Sequence, residues 1–273
     1  MCSCQCWPEF AAAGKEAITV RQLLSHQAGL PAVRRRLPPG AMLDWPAMTT
    51  ALAEQEPWWE PGTAHGYHVN TFGFLVGEVI RRITGTTAGK LLRDEIAGPL
   101  GADVHIGLPA AEHKRVATFI WSGPPPAEEE PDGLDRAELM EHNSYYNPGG
   151  LSGAGVINTP RWRAAESPST NAHGTARGVA RVYAALISST AVVDPAALAE
   201  AVTEQVYGQD LVLHRPSRFG LGLSTVSTQG WISGSPLPGR CPGAGHPGLI
   251  ALVPVVALII VRRLTCATRR HRG

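Results

Sequence analysis

One amphipathic segment, at about residues 70–84, is the clearest structural signal in the chain. Its apolar residues recur at the spacing i, i+3, i+4, i+7, i+8 and i+11, which places them on one face of an α-helix. These residues are Phe72, Leu75, Val76, Val79, Ile80 and Ile83. Arg81 and Arg82 follow in the last turn, where the helix dipole favours cations, and Gly85 suits the position just beyond it. We therefore predict a helix with one buried face.

Shorter elements are predicted on both sides of this helix. Thr19 is a plausible N-cap of one helix, and Asp194 caps another that has Pro195 at its first position. Further helices are predicted at 47–55, from about Thr86, and at 175–188, and strands at 115–121 and 218–226. Residues 122–138 hold three consecutive prolines and three consecutive glutamates, which are typical of an exposed loop. This order of elements favours an α/β fold of the α+β type, with a helical region beside a sheet.

Charge and cysteine usage narrow the class of protein. The formal net charge is +1, which argues against a nucleic-acid-binding protein, since those usually carry a basic excess on one face. Three of the five cysteines lie in the first six residues, and their number and spacing are typical of neither disulfides nor a zinc site. We expect residues 1–17 to be an unstructured N-terminus. They show no signal peptide, so we expect a cytoplasmic protein.

Four blocks of sequence carry a resemblance to a known family. They are ITVRQLLSHQAGLP at 18–31, WEPGT at 59–63 followed by Tyr67, NPGGLSGAG at 147–155, and NAHGTAR at 171–177. In this order they resemble the serine β-lactamase-related proteins, which include penicillin-binding proteins, and above all the carboxylesterase-like branch related to class C β-lactamases. The resemblance covers about residues 7–225. It implies a β-lactamase/transpeptidase-like fold, a helical region beside an antiparallel sheet, with the family's N-terminal part missing.

The resemblance also implies a reaction. Members of this family transfer an acyl group from a small-molecule ester or amide to the serine of a Ser-x-x-Lys motif, and then to water. A tyrosine of the second motif assists the proton transfer, and Tyr67 matches it, which makes Tyr67 the candidate general base. No metal and no organic cofactor are implied. Val69 stands where class C β-lactamases carry asparagine, which favours an esterase-like relative.

Tyr67 precedes the best predicted helix, so its ring would be presented from a loop at a helix start. Helix N-termini favour negative charge, and we expect this to help a phenolate. The alternative is a tyrosine packed at a loop–helix corner, with its hydroxyl as a polar handle.

The third family motif, Lys- or His-x-Gly, has its candidate match at His246 and Gly248. Both residues are weak candidates. The match stands near the C-terminal end, as the family requires, but the sequence from Gly230 onward otherwise looks unlike the family. Coincidence is the alternative in a chain with ten histidines and 30 glycines.

The first motif is absent. The chain has lysines at three positions, and the residue three places before each is alanine or threonine: Ala12 before Lys15, Thr87 before Lys90, and Ala111 before Lys114. Loss of the nucleophile in a related serine hydrolase lowers turnover by roughly a millionfold. We therefore expect negligible activity from this chain. Two alternatives remain open, a non-catalytic binding protein that retains the cleft and a truncated gene product.

Other signals are interpreted as structural. We expect Ser25, His26 and Ser152 to shape loops, and we expect no metal at His65 and His68, because no cysteine or carboxylate completes a ligand set. An apolar run at 249–261 is too short to span a bilayer, so a membrane partner is not expected. That run could be a buried strand, an anchored tail or the product of a frame change. We divide the chain into 1–17, a partial domain at 18–229 and a divergent segment at 230–273.

Overall fold

A computed structural model of the chain describes residues 1–120, 132–149, 156–187 and 193–224. Within these ranges the α-helices are α1 (Val20–Leu24), α2 (Trp45–Glu54), α3 (Phe72–Thr84), α4 (Ala88–Leu92), α5 (Arg136–Tyr146), α6 (Pro160–Ala164), α7 (Ala176–Ile187) and α8 (Pro195–Val202). The strands are β1 (Val104–Ile106), β2 (Ala172–Gly174), β3 (Val206–Gln209) and β4 (Pro216–Phe219). β1 pairs with β2 and β3 with β4, both antiparallel. Helices beside small antiparallel sheets are the α+β arrangement that the sequence predicts.

Helix α3 is the centre of the main core. It occupies the predicted segment, ends at Gly85 with φ of 69°, and contacts both α1 and α2. α2 packs closely on α3 at Gly77, where a side chain would not fit: a Cβ on Gly77 would lie 2.6 Å from the ring of Trp45. The periodic apolar face is buried, apart from the half-buried Ile83, but every residue from Phe72 to Ile80 is buried, so this part of the helix is covered on all sides and not, as predicted, on one face only.

A buried carboxylate joins α3 to α2. Glu78 is almost fully buried and accepts hydrogen bonds from Trp45 Nε1, Arg81 and Arg82, each at 2.7 Å. Burial raises the pKa of Glu78, but the hydrogen bonds from the two guanidinium groups and the indole outweigh it, so the pKa lies below its ordinary value. The carboxylate is thus kept ionised inside the fold by its partners.

Capping residues set the ends of the shorter helices. Thr19 and Gln22 form a reciprocal capping box at the start of α1, and Asp194 accepts a hydrogen bond from Ala196 N at the start of α8. The N-caps predicted at Thr19 and Asp194 are confirmed.

The N-terminal residues correct the expectation of an unstructured terminus. They form 3-10 turns at Ser3–Gln5 and Pro8–Ala11, and Ser3 N donates to Ile18 O at 2.8 Å. Trp7 and Phe10 are buried in the main core, where their rings stack at 4.8 Å. The segment is ordered because these two aromatic rings supply an apolar surface that the core covers. The other proposed boundaries, 18–229 and 230–273, stay predictions.

The strand predictions need two corrections. The strand predicted at 115–121 is wrong: Arg115 ends a 3-10 helix, Ala110–Arg115, 116–120 form no helix or strand, and 121 lies outside the described residues. Arg115 explains this locally, because it is bonded to both Glu112 and Asp103 and so holds the chain in a turn. The strand predicted at 218–226 overlaps β4, which begins earlier, at Pro216, and ends at Phe219. Residues 225–226 lie outside the described residues. In the described ranges, no helix combines the length and apolarity needed to cross a membrane.

Candidate active site

The loop that carries Tyr67 is hydrogen-bonded to the segment after α1. Three backbone hydrogen bonds join the two segments: Trp58 N donates to Gly29 O at 2.7 Å, Gly62 N to Gln27 O at 2.9 Å, and Gly66 N to His26 O at 3.2 Å. The first two sequence blocks therefore meet in space, which fixes the course of the chain on both sides of Tyr67.

Gly29 makes this contact possible. Its φ is +72°, and a Cβ there would lie 2.5 Å from the carbonyl oxygen of Trp59. Any side chain would both strain the backbone and collide with the Tyr67 loop. The glycine of the first block is thus needed for the close approach of the two segments.

Two buried histidines complete the contact. His68 Nδ1 lies 2.6 Å from Gly66 O, and its Nε2 accepts from Leu30 N at 3.1 Å, so the ring is neutral with its proton on Nδ1. His68 N in turn donates to His26 Nδ1 at 3.1 Å. Burial lowers the pKa of His68 to about 4 and places that of His26 well below its ordinary value. Both rings hold the loop as neutral groups.

The Tyr67 ring is half-buried between residues from distant parts of the chain. It stacks on the ring of Phe219 in β4, with 6.2 Å between centroids and 6° between planes. The His26 ring lies at 5.1 Å on a tilted plane. Tyr67 is therefore held in one orientation by packing.

The protonation of Tyr67 differs from the expectation of a stabilised phenolate. Burial raises the pKa of the phenol, and the charge of Asp210 raises it further. α3 begins only at Phe72, and the field of a helix end falls off within its first turn. Tyr67 rests as a neutral phenol in this chain.

Asp210 was not singled out by the sequence, yet its carboxylate lies at the centre of the site. The residue is fully buried and follows β3 directly. Its Oδ1 accepts from Tyr67 N at 3.1 Å and from Val212 N and Leu213 N at 2.9 Å each. Its Oδ2 accepts from Ser217 Oγ at 2.8 Å. A lone aspartate beside apolar residues gives no periodic or motif signal, so sequence reasoning had no means of finding it.

His65 and Ser217 extend the contacts of Asp210. His65 Nε2 lies 2.9 Å from Ser217 Oγ, and burial lowers the pKa of this histidine. His65 and His68 face different partners, and no group of histidine, cysteine or acidic side chains suited to a metal occurs in the described residues.

Residues after Tyr67 anchor the loop to the rest of the fold. Val69 packs against a small apolar cluster around Trp58 and Met140, so it offers no polar group. Asn70 Nδ2 donates to Ser144 O at 2.7 Å, and Thr71 Oγ1 to Leu30 O at 2.6 Å.

The remaining candidates are structural or lie outside the described residues. Ser25 Oγ donates to Arg21 O, and the Nδ1 of His26 receives the amide of His68, so these neighbours form no catalytic pair. The asparagines that open the third and fourth blocks hold loops: Asn147 bonds to Val33, Arg35 and Leu37, and Asn171 to Trp162, Ala165 and Ser167. Ser152, His246, Gly248 and the run at 249–261 lie outside the described ranges.

Comparison with known proteins decides the family. The sequence model named Beta-lactamase matches residues 4–261, which is nearly the whole chain. The chain belongs to the beta-lactamase family. The match includes the positions of His246 and Gly248 and extends beyond the region in which the four blocks are found.

Related proteins agree with this assignment. "Esterase/beta-lactamase LipL" of Mycobacterium tuberculosis (strain ATCC 25618 / H37Rv) is 32% identical over 259 residues, covering 89% of this chain and 56% of the relative. A crystal structure of a novel penicillin-binding protein homologue from Caulobacter crescentus is 37% identical, with a TM-score of 0.71 over 82% of this chain and 59% of that one. A family VIII carboxylesterase structure is also 37% identical, with a TM-score of 0.73 over 83% and 60%. The chain thus spans under two thirds of the length of these relatives.

Proposed function

We propose that this chain carries the tyrosine part of an esterase-like acyl-transfer site, which acts on small-molecule esters and, less readily, on amides. The observation that carries the proposal is the placement of Tyr67. Two family blocks meet at its loop, and its ring is fixed between His26 and Phe219 with part of its surface open. A phenol held in one orientation, on a residue that is only half-buried, can exchange a proton with a bound substrate.

The reaction begins with attack of a serine hydroxyl on the acyl carbon. The serine proton leaves, the alcohol or amine of the substrate departs with a proton, and water then releases the acid. As general base, Tyr67 must first lose its own proton. Burial and Asp210 oppose that loss, and a nearby cation would favour it. In the family, the lysine of Ser-x-x-Lys is such a cation.

The chain contains neither that lysine nor its serine. We therefore propose that residues 1–273 alone have negligible turnover, roughly a millionfold below an intact serine hydrolase.

Ester preference is proposed from Val69. This position carries asparagine in class C β-lactamases, and here its side chain packs on apolar residues. A β-lactam therefore finds no amide group at this point. His246 and Gly248 are proposed for the third motif, supported by the extent of the family match.

A chimera tests the proposed function. The N-terminal part of the family VIII carboxylesterase, which would carry the Ser-x-x-Lys motif, is joined to this chain, and hydrolysis of p-nitrophenyl acetate and nitrocefin is measured. We expect ester hydrolysis that falls at least about 100-fold in Tyr67→Phe, the size of a general acid–base contribution. Tyr183→Phe, on α7, is the matched control and should retain activity.

The chain alone supplies the second arm. We expect no ester turnover and no mass increase after treatment with a fluorophosphonate. Stoichiometric labelling of residues 1–273 would mean that another residue of this chain is the nucleophile. A chimera whose activity is the same with and without the Tyr67 hydroxyl would refute the role given to Tyr67.

A further inference from the structure

Asp210 is a buried carboxylate without a cationic partner in the described part of the chain. It is fully buried, and no ion pair to it occurs among residues 1–120, 132–149, 156–187 and 193–224. A buried charge is costly unless hydrogen bonds satisfy it. Asp210 has four such bonds, and one of them comes from the backbone of Tyr67.

The Tyr67 bond differs from the other amide bonds of Asp210. Val212 and Leu213 belong to the turn that Asp210 itself begins, so their amides shape only that turn. The amide of Tyr67 comes from a distant loop. The same loop and turn are joined again by Leu211 N, which donates to His65 O at 3.1 Å. Asp210 thus links the β3–β4 hairpin to the loop that presents the phenol.

We propose that Asp210 is the positioning residue of Tyr67, and that Ser217 and His65 complete a one-way hydrogen-bond chain ending on its carboxylate. The inference rests on the proposed function in one respect: it takes Tyr67 as the residue that exchanges protons with substrate. Asp210 acts through Tyr67 and touches no substrate.

The direction of the chain follows from proton counting. Ser217 has one hydroxyl proton, and a carboxylate can only accept, so that proton points at Asp210 Oδ2. Ser217 Oγ must then accept from His65, whose Nε2 therefore carries the proton. This order also excludes a catalytic triad, because a triad histidine accepts the serine proton. Ser217 is a relay to Asp210 and no nucleophile.

The charge of Asp210 has a second consequence. It raises the pKa of the Tyr67 phenol beyond the effect of burial. The residue that fixes the backbone of Tyr67 also keeps its hydroxyl protonated, so Tyr67 rests as a proton donor until a cation enters the site.

Nuclear magnetic resonance of the full chain tests this assignment. Histidine ¹⁵N shifts report the tautomer of His65, tyrosine ¹³Cζ shifts report the titration of Tyr67, and amide exchange reports the bond from Tyr67 N. The Tyr67 signal is assigned with Tyr67→Phe. None of these measurements needs turnover, so a failure here is distinct from a failure of the chimera assay.

Asp210→Asn is the decisive variant. Its amide oxygen can still accept from Tyr67 N, but its NH₂ must donate to Ser217, which then turns its proton toward His65. We expect His65 to change from the Nε2–H to the Nδ1–H tautomer and Tyr67 to titrate at lower pH. Asp210→Ala should accelerate exchange of the Tyr67 amide about tenfold, as expected for a lost hydrogen bond, while Asp210→Asn should restore its protection.

Two variants guard against a general loss of structure. Glu166→Gln is the matched control, because that carboxylate also accepts from a hydroxyl, of Thr87, and from an amide, of Gly89. It should leave His65 and Tyr67 unchanged. Ser217→Ala keeps the charge and the three amide bonds, so it should leave the Tyr67 titration unchanged and let His65 populate both tautomers. The proposal would be overturned if His65 kept its tautomer in both Asp210→Asn and Ser217→Ala. It would also be overturned if Glu166→Gln lowered the pH of the Tyr67 titration as much as Asp210→Asn does.

Discussion

The rings of Tyr67 and Phe219 are nearly parallel, with 6° between their planes and 6.2 Å between their centroids. Tyr67 comes from the loop before α3, whereas Phe219 ends β4 near the other end of the described chain. The candidate site is therefore assembled by packing between distant segments. A substitution in the β3–β4 hairpin should therefore alter the position of the Tyr67 ring.

Phe219→Ala should destabilise the fold by about 3 kcal/mol, because it removes a buried ring and leaves a cavity. Urea unfolding followed by circular dichroism measures this. Phe219→Leu is the control and should cost less than about 1.5 kcal/mol, since it keeps most of the volume. Equal midpoints for wild type and Phe219→Ala would show that the ring contributes little to packing.

Acid should destabilise the protein through His68. Its folded pKa of about 4 lies below the unfolded value near 6.5, so the unfolded chain binds the proton first as the pH falls. Stability should decline from about pH 6.5 and level off below about pH 4, with a total loss of about 3 kcal/mol from this group. Protonation of Nε2 also deprives Leu30 N of its acceptor.

Unfolding free energies at several pH values check the role of His68. His68→Asn should be less stable at pH 7.5 but should show a shallower decline between pH 6.5 and 4. The same slope in both proteins would assign the acid sensitivity to other groups.

Glu78 should also make the protein less stable in acid. Its folded pKa is lowered, so its stabilisation is present above the unfolded pKa near 4.3 and is lost as the pH falls through the folded value. Glu78→Gln should cost about 2 kcal/mol at pH 7, where the charged bonds to Arg81 and Arg82 are lost. The difference from wild type should shrink at pH 3. A difference that is the same at both pH values would argue against the ionic role.

Gly29 and Gly85 form a matched pair for testing the contact between the first two sequence blocks. Both have φ near +70°, but a Cβ on Gly29 meets Trp59 O at 2.5 Å, while Gly85 has nothing within 4 Å. Gly85→Ala should cost about 1 kcal/mol for strain alone. Gly29→Ala should cost about 3 kcal/mol and lower the activity of the chimera. Equal losses in thermal melts would mean that the loop moves away at little cost.

Local patterns predicted the helices but not the contacts of Asp210. α3 follows from apolar spacing, and the N-caps at Thr19 and Asp194 follow from side chains that bond to the nearest amides. Tyr67 was found because neighbouring residues match a family block. Asp210 owes its role to Tyr67, which is remote in sequence, so no local pattern contains it.

Short strands were beyond prediction for a different reason. β1 and β2 have three residues each, too few for an alternation of apolar and polar residues to show. They pair with His105 opposite His173, and these residues are far apart in the sequence. The predicted strand at 115–121 was apolar in part, but nothing in its sequence showed that Arg115 would bond to Asp103. Long-range partners decide both cases.

The ordered N-terminus gives the last prediction. Trp7 is buried in the core and stacked on Phe10, although a cysteine-rich terminus gave no such expectation. Trp7→Ala should therefore destabilise the fold by about 3 kcal/mol, as for other buried aromatic residues. Gln5→Ala, an exposed residue of the preceding 3-10 turn, is the control and should change stability by less than about 0.5 kcal/mol. Urea midpoints that agree for wild type and Trp7→Ala would mean that residues 1–17 detach without loss to the core.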